Sequence, residues 1–271
     1  MSYPQPSTSA YALITGASQG IGEAIARKLG AAGHNLILVA RREEVLMRIA
    51  DELAASHGIN VEVFAADLAK ERDVDALLDH IAQREISICV NSAGIASFGA
   101  FMDQDWEYET NQFNLNATAV FRITKAVLDQ MVPRGNGALC NVGSAAGNSP
   151  IPNNATYVFT KAGVNTFTES LHYELKPTGV HCTLLAPGPV REAEVPAEEQ
   201  TFVDKLVPDF LWTTYESCAE DTIRAMRKNK RRVVPGPLSK AMDVVSTYAP
   251  RGSLAPLLGS FYAKMGEEQN A

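Results

Sequence analysis

Tyr11-Ala12-Leu13-Ile14-Thr15-Gly16-Ala17-Ser18-Gln19-Gly20-Ile21-Gly22 sets an apolar run directly before a glycine-rich turn. The apolar residues at its head read as a buried strand. Behind the glycines, Glu23-Ala24-Ile25-Ala26-Arg27-Lys28-Leu29 reads as a helix. A strand, a glycine turn and a helix, in that order, form the setting that a phosphate-binding loop requires. Glycine reaches positive φ angles and lets the backbone approach a pyrophosphate closely. The start of the helix adds free N–H groups and partial positive charge. Gly16, Ser18, Gly20, Ile21 and Gly22 are therefore expected to cradle the phosphates of a dinucleotide.

The next apolar run, Leu36-Ile37-Leu38-Val39, ends in Ala40-Arg41-Arg42. An acidic side chain about 20 residues past the glycines binds the ribose hydroxyl of NAD. Here that place holds Ala40, with two arginines behind it. A guanidinium is a planar fork that meets phosphate oxygens in pairs. The pattern points to NADP(H), with its 2′-phosphate on Arg41 and Arg42. The plainer alternative makes both arginines the solvated start of a helix from Glu43 to Ser56.

Farther along, the alternation of strand and helix continues. Strands are expected near 11–15, 35–40, 60–65, 86–91, 137–142, 180–186 and 231–234. Helices are expected near 20–32, 42–57, 70–83, 106–132, 154–176 and 214–228. This rhythm implies an α/β fold, a doubly wound parallel sheet of Rossmann type with helices on both faces. Ligands of such sheets bind outside the carboxyl ends of the strands. Asp67, the run Asn91 to Gly94, Ser144 and Pro187-Gly188 all fall at such ends. The expected organisation is a flexible segment over 1–10, a catalytic domain over 11–236 and a C-terminal helical extension over 237–271. Glu192 to Pro208 breaks the rhythm, and the stretch of about 192–212 reads as a lid or as a plain pair of surface helices.

Composition narrows the function. The chain has 271 residues, 46% of them hydrophobic, and a formal charge of −7. An acidic chain without a long basic run is a poor nucleic-acid binder. Its one basic cluster, Lys228-Asn229-Lys230-Arg231-Arg232, reads as the lead into an edge strand. Cys89, Cys140 and Cys182 sit in apolar runs, Cys218 in a helix, and none forms a Cys-x-x-Cys pair. They read as buried small hydrophobes in a reducing compartment. The five histidines show no ligand spacing, so no metal is expected, and His172 reads as structural. No stretch has the pattern of a signal peptide or the length of a spanning helix. The expectation is a cytoplasmic protein, at most held at the inner face of the plasma membrane.

Tyr157-Val158-Phe159-Thr160-Lys161 lies thirteen residues after Ser144. Tyr157 and Lys161, four apart, share one face of a helix. A phenol is thereby kept beside an ammonium, which is equipment for moving a proton while a nicotinamide moves a hydride. Positive charge near a phenol favours phenolate and is expected to bring its pKa toward working pH.

From residue 11 to about 191 the chain resembles the short-chain dehydrogenase/reductases. The resemblance rests on Thr15-Gly16-x-x-x-Gly20-Ile21-Gly22, Asp67-Leu68, Asn91-x-Ala93-Gly94, Asn114, Ser144, Tyr157-x-x-x-Lys161 and Pro187-Gly188. It implies that Tyr157 is the general acid in ketone reduction, that Ser144 bonds the carbonyl oxygen, and that Lys161 also binds the nicotinamide ribose. Asn114 would hold a water that relays protons to Lys161, with Asn116 as its rival. Asp67 and Leu68 would contact the adenine, though Asp67 could equally cap the helix that follows it. Asn91 would steady the sheet beside the cofactor, with Ala93, Gly94, Pro187, Gly188 and Val190 completing the cofactor's wall. Glu192 stands where the family usually has a Thr that bonds the carboxamide. An ionised Glu can only accept, so that contact is not expected to be conventional.

Apolar residues mark the substrate side. Phe202, Leu206, Phe210, Leu211 and Trp212 lie in the lid region. Leu238, Met242 and Val245 follow helical spacing, as do Leu254, Leu258, Phe261 and Met265. Core packing would explain these stripes as well as a lipid site. Nearly end to end, the chain also resembles the mycolate reductases of mycobacteria and corynebacteria. The most specific segments are Gly143 to Pro152, Lys205 to Trp212 and Arg232 to Gly236 with the tail beyond. That resemblance implies NADPH-dependent reduction of the β-keto group of an α-branched mycolate precursor. It implies a long-chain 3-oxo acyl lipid as substrate, possible peripheral membrane contact and a homo-oligomer. A reductase of another ketone, such as a 3-oxoacyl thioester or a steroid, and a non-catalytic dinucleotide sensor are the competing readings.

Overall fold

Ala10–Thr15 forms β1, buried at every position but Tyr11. Successive side chains of a strand point to opposite faces. Ile14 therefore packs into one apolar core with Leu36 and Leu38, while Leu13 packs into another with Ile37, Val39 and Cys89. Burial on both faces is what a parallel sheet covered by helices demands. A computed structural model of the chain describes residues 3–192, 208, 212–250 and 252–269, with the side chains of 265–269 excepted.

The elements follow in order: α1 Gly20–Ala31, β2 Asn35–Ala40, α2 Glu43–His57, β3 Val61–Ala65, α3 Glu71–Ala82 and β4 Glu85–Asn91. Then come α4 Trp106–Phe113, α5 Val120–Arg134, β5 Gly137–Val142, α6 Ala155–Glu174 and β6 Val180–Leu185. Two-residue strands β7 Val190–Arg191 and β8 Thr213–Thr214 pair with each other, and α7 Tyr215–Arg227 leads to β9 Arg232–Val233. The main sheet runs β3-β2-β1-β4-β5-β6-β9. Strand order reverses between β1 and β4, and the crevice at such a switch point is the natural ligand site. The β7–β8 pair has no counterpart in the periodicity of the sequence, because two-residue strands carry no period.

Two expectations change, and a third falls largely outside the described residues. The single helix expected over 106–132 is interrupted by a π-helical segment, Asn114–Ala119, between α4 and α5. Wider π turns inside a helix often mark functional positions. The segment 1–10, expected to be flexible, is seated from Tyr3 onward: Tyr3 is buried, and its ring lies 6.4 Å from those of His34 and His181. Asn35 donates to the carbonyls of Ser7 and Thr8, tying the segment to β2. Of the lid region, only Glu192, Pro208 and Trp212 are described, so Phe202, Leu206, Phe210 and Leu211 lie outside the described residues.

The tail forms two helices, α8 Pro237–Tyr248 and α9 Ala255–Gln269. Asp243 of α8 is held by Arg232 of β9 and by Asn148 Nδ2 at 2.7 Å. The four cysteines are free and buried. His172 spends its Nδ1 on the Cys182 carbonyl at 2.8 Å. Among the described residues, no helix is long and apolar enough to cross a membrane, and no cluster suits a metal.

Candidate active site

The glycine turn leaves β1 with Gly16 at φ +69° and Gly20 at φ +59°. A side chain on Gly16 would press its Cβ to 2.8 Å from the Ala93 nitrogen, and one on Gly22 would come within 2.3 Å of the Gly16 carbonyl oxygen. The turn is thus wound tightly against the end of β4. Thr15 locks it there: its hydroxyl oxygen accepts from the backbone N–H groups of Ser92 and Ala93 at 3.0 and 3.1 Å. The first turn of α1 faces a cavity of about 570 Å³.

That cavity collects nearly all the residues expected from sequence. Its walls include Gly16, Ser18, Gly20, Ile21 and Gly22; Arg41 and Arg42; Asp67 and Leu68; Ala93 and Gly94. The far wall holds Ser144, Tyr157 and Lys161, then Pro187, Gly188 and Val190. Arg42 reaches back over the glycine turn, donating to Ser18 Oγ at 3.0 Å, to the Ser18 carbonyl at 2.9 Å and to Gln19 Oε1 at 2.6 Å. It is therefore part of the loop's own structure, and more than the solvated start of α2. Asp67 does not cap α3, which begins at Glu71 after Lys70. Its carboxylate instead accepts from the Ala69 nitrogen at 3.2 Å, closing a turn on the cavity wall.

Asn91 lies beneath the cavity. Its Nδ2 donates to Thr124 Oγ1 at 3.2 Å and Asn141 Oδ1 at 2.9 Å, and Asn141 Nδ2 donates on to Thr168 Oγ1 at 3.0 Å. This buried polar chain links α5, β4, β5 and α6. Buried amides satisfied in this way specify one register for the elements they join.

Ser144 lies two residues past β5 and caps the short 3-10 turn Ala145–Asn148. Its Oγ accepts from the Ala146 nitrogen at 3.1 Å, and its O–H is turned toward the Tyr157 phenol on the cavity wall. Asn165, one turn past Lys161 on α6, clamps the Ser144 backbone from behind. It accepts from the Ser144 nitrogen at 3.2 Å and donates to the Ser144 carbonyl at 2.8 Å. Lys161 is buried, donates to the Val142 carbonyl at 2.8 Å, and holds its ammonium 5.7 Å from the centre of the Tyr157 ring. Burial lowers the Lys161 pKa to about 8. Burial also raises the Tyr157 phenol above its ordinary value, against an opposing hydrogen bond from Ser144. The expectation that this phenol is brought down is thus reversed, because desolvation of the phenolate is the larger effect.

Of the two candidate amides, Asn116 is the one that lies beside this pair. Asn114 is half-buried, whereas Asn116 is fully buried in the π segment. Asn116 accepts from the Ile95 nitrogen at 3.0 Å and donates to the Ile95 carbonyl at 2.9 Å and to Thr160 Oγ1 at 3.3 Å. A Cβ on Gly94 would lie 3.1 Å from Asn116 Oδ1 and 3.4 Å from Lys161 Nζ, so the two groups converge there. Residues two apart on a helix point to nearly opposite sides, so Asn114 and Asn116 cannot share this place.

Thr15, Asn165 and Tyr215 are the contributors that the sequence did not reveal. Tyr215, at the start of α7, lies over the turn: a Cβ on Gly20 would meet its ring at 3.5 Å. Thr15 sits in the quoted motif and could have been found from its place at the strand end. Asn165 follows Lys161 by four residues on the same helix face, and that spacing was the available signal.

Residues 10–202 match the short chain dehydrogenase family. The chain is 31% identical over 224 residues to a very-long-chain 3-oxoacyl-CoA reductase of Anas platyrhynchos, a match covering 80% of this chain and 70% of that protein. It is 37% identical over 180 residues to sulfoacetaldehyde reductase 2 of Chromohalobacter salexigens, covering 65% and 71%. Among solved structures it is similar to a short-chain dehydrogenase from Sphingobium yanoikuyae in complex with NADPH. That likeness has a TM-score of 0.74 at 29% identity and covers 91% of this chain and 98% of the other. A 7beta-hydroxysteroid dehydrogenase shares the fold at TM-score 0.81 and 24% identity, over 95% and 96% of the two chains.

Proposed function

We propose a substrate and a cofactor for this chain, which belongs to the short-chain dehydrogenase family of oxidoreductases: it reduces the 3-oxo group of a long-chain acyl lipid with NADPH. One observation carries the reading: Ser144, Tyr157 and Lys161 stand on one wall of the cavity whose other wall is the glycine turn with Arg41 and Arg42. The residues fit the cofactor. The turn is a cradle with no room for side chains at Gly16 and Gly22, and backbone N–H groups at a helix start suit a pyrophosphate. Arg41 and Arg42 would take the 2′-phosphate, Asp67 and Leu68 the adenine side, and Lys161 the nicotinamide ribose. Bound here, NADPH would supply the hydride.

The chain's own groups supply the rest. Ser144, whose hydroxyl stands beside the Tyr157 phenol, donates to the carbonyl oxygen on which negative charge develops. Tyr157, kept protonated by burial, delivers the proton to that oxygen. Lys161 spends one N–H on Val142 and has donors left for a ribose and a water. Asn116 is assigned the relay role, in place of Asn114.

The substrate reading is finer. It is supported by the relative that reduces very-long-chain 3-oxoacyl-CoA, by the apolar tail, and by the likeness to mycolate reductases at Gly143 to Pro152 and Arg232 to Gly236. On that basis the lipid is a β-keto mycolate precursor, used in building a cell envelope. An aromatic face with Phe121 and Phe159 exposed, and with Phe113 stacked 5.4 Å from Phe159, would seat a second copy of the chain. A reductase of another ketone would use the same constellation, so a substrate panel decides. NADPH oxidation is followed with long α-branched 3-oxo esters, a short 3-oxo ester and a steroid ketone. The reading expects the highest kcat/KM for the long branched esters. Preference for the steroid or the short ester overturns it. Accumulation of unreduced β-keto lipid in cells lacking the gene is the matching observation in vivo.

A further inference from the structure

We infer that Tyr262, on the last helix, recognises the second carbonyl of the substrate, the C1 oxygen of a 3-oxo acyl group. The inference rests on the reductase reading above and names the residue that would select 3-oxo acyl compounds over simple ketones.

Helix α9 is anchored to the wall that carries the catalytic tyrosine. Asn153 Nδ2 donates to the Gly259 carbonyl at 3.1 Å, and Gly259 is buried against Pro152, where a Cβ would lie 3.1 Å from the ring. Pro152 and Asn153 belong to the turn just before α6, whose first turn holds Tyr157. One turn farther along α9, Tyr262 meets the neighbouring loop after β4, whose Gly99 nitrogen donates to the Asn153 carbonyl at 2.9 Å. Its ring stands 5.8 Å from that of Phe98, three residues past Ile95 and two past Ala96, both of which line the cavity. Phe261 braces it edge-on at 5.7 Å. Tyr262 therefore packs where these two loops join, next to the segments that supply Ile95, Ala96 and Tyr157 to the cavity.

Its hydroxyl is suited to bind a neutral oxygen. Burial, and then the neighbouring Tyr157, push its pKa up to about 12, so it remains a phenol at neutral pH. Among the described residues no hydrogen bond engages this hydroxyl. An O–H donor set among aromatic rings, next to the reacting group, has the make-up of a specificity contact: apolar walls with one placed polar group. A 3-oxo acyl compound has two carbonyls separated by one carbon. With its 3-oxo oxygen between Ser144 and Tyr157, its C1 oxygen must lie a few bonds away, within reach of a donor that neighbours Tyr157. A simple ketone has no oxygen to offer there, and sites built around a donor discriminate against ligands that leave it unpaired.

The test is Tyr262→Phe, which keeps the ring and its contacts and removes only the hydroxyl. kcat/KM with NADPH is measured for a 3-oxo ester and for a monoketone of equal length and branching. The ratio of the two should fall about 10-fold, the size of one neutral hydrogen bond. An unchanged ratio overturns the inference, whether both activities hold or both fall. Tyr262→Ala serves as a second variant: a loss of ratio there that Tyr262→Phe does not share assigns the effect to ring packing and also overturns it. If the wild-type protein reduces the monoketone and ignores 3-oxo esters, the substrate reading itself has failed, and that result is visible before any variant is made.

Discussion

The glycine turn and the tail are built on opposite plans. Around the turn, Leu13, Ile14, Leu36 and Val39 are wholly buried, and backbone groups touch backbone groups at the limit of contact. The tail lies on the outside, with Tyr248 82% and Leu257 72% exposed, and it holds to the body through a few side-chain bonds such as Asn148 to Asp243 and Asn153 to Gly259. A backbone cradle is the same for every substrate, so it suits the invariant half of a reaction. A tail docked by side chains can change without disturbing the sheet, so it suits the half that must fit one substrate. The comparison teaches where to look for chemistry and where for selectivity.

The largest effect belongs to the wall that both halves share. Tyr157→Phe removes the proton donor and should cost on the order of 100-fold or more in kcat, for every substrate alike and with NADPH affinity retained. Near-normal turnover would break the division at its centre.

Lys161 tests the burial argument. Its folded pKa of about 8 lies below the 10.5 of the unfolded chain. Between those values the unfolded chain binds more protons, so stability from this group rises with pH through that window. Below pH 8 both states are charged and the cost is complete, about 3 kcal/mol as an order of magnitude. Lys161→Met should therefore melt above the cofactor-free wild type at pH 7, and the gap should close between pH 8 and 10.5. A gap that does not change with pH would assign the difference to packing. In kinetics the same titration should weaken kcat/KM as pH rises past about 8.

Next in size comes cofactor choice. Arg41→Ala with Arg42→Ala should weaken NADPH by about 10- to 100-fold relative to NADH, the worth of a charge-assisted contact. Equal weakening of both cofactors would mean that Arg42 only braces Ser18 and Gln19. Asn116→Ala leaves the Ile95 backbone groups unpaired and should destabilise the fold by about 1–3 kcal/mol and slow turnover, whereas Asn114→Ala should do neither. Thermal melts and initial rates of the two variants decide between them.

The smallest effect is expected in the tail. Asp243→Ala loosens α8 from Asn148 and Arg232 and should raise KM for long branched 3-oxo esters by about 3-fold, with the short ester and NADPH less affected. Equal changes for long and short esters would make the tail ordinary packing and erase the contrast between the regions.

The cradle was legible in the sequence for a physical reason. Gly16 and Gly22 leave no room for a Cβ and Gly20 takes a positive φ, and the runs at 12–14 and 36–40 are apolar throughout because both faces of the sheet are covered. Ser144, Tyr157 and Lys161 were legible because helical spacing and strand ends place them by local rules. Asn116 was not, since Asn114 and Asn116 differ by less than one turn and the π segment that orients them has no sequence signature of its own. Asn165 and Tyr215 escaped because their partners, Ser144 and Gly20, are far away in sequence.

By itself, then, the sequence determined the layering of the sheet, the place of the phosphate cradle and the pair that handles the proton. All three depend on contacts within one turn or one strand–turn–helix unit, where the period of the chain is enough. Only the tertiary structure decided which asparagine faces Lys161, how the Tyr157 and Lys161 pKa values move, and that the last helix brings Tyr262 against Phe98. These depend on burial and on residues far apart in the chain, and such distances close only when the chain folds.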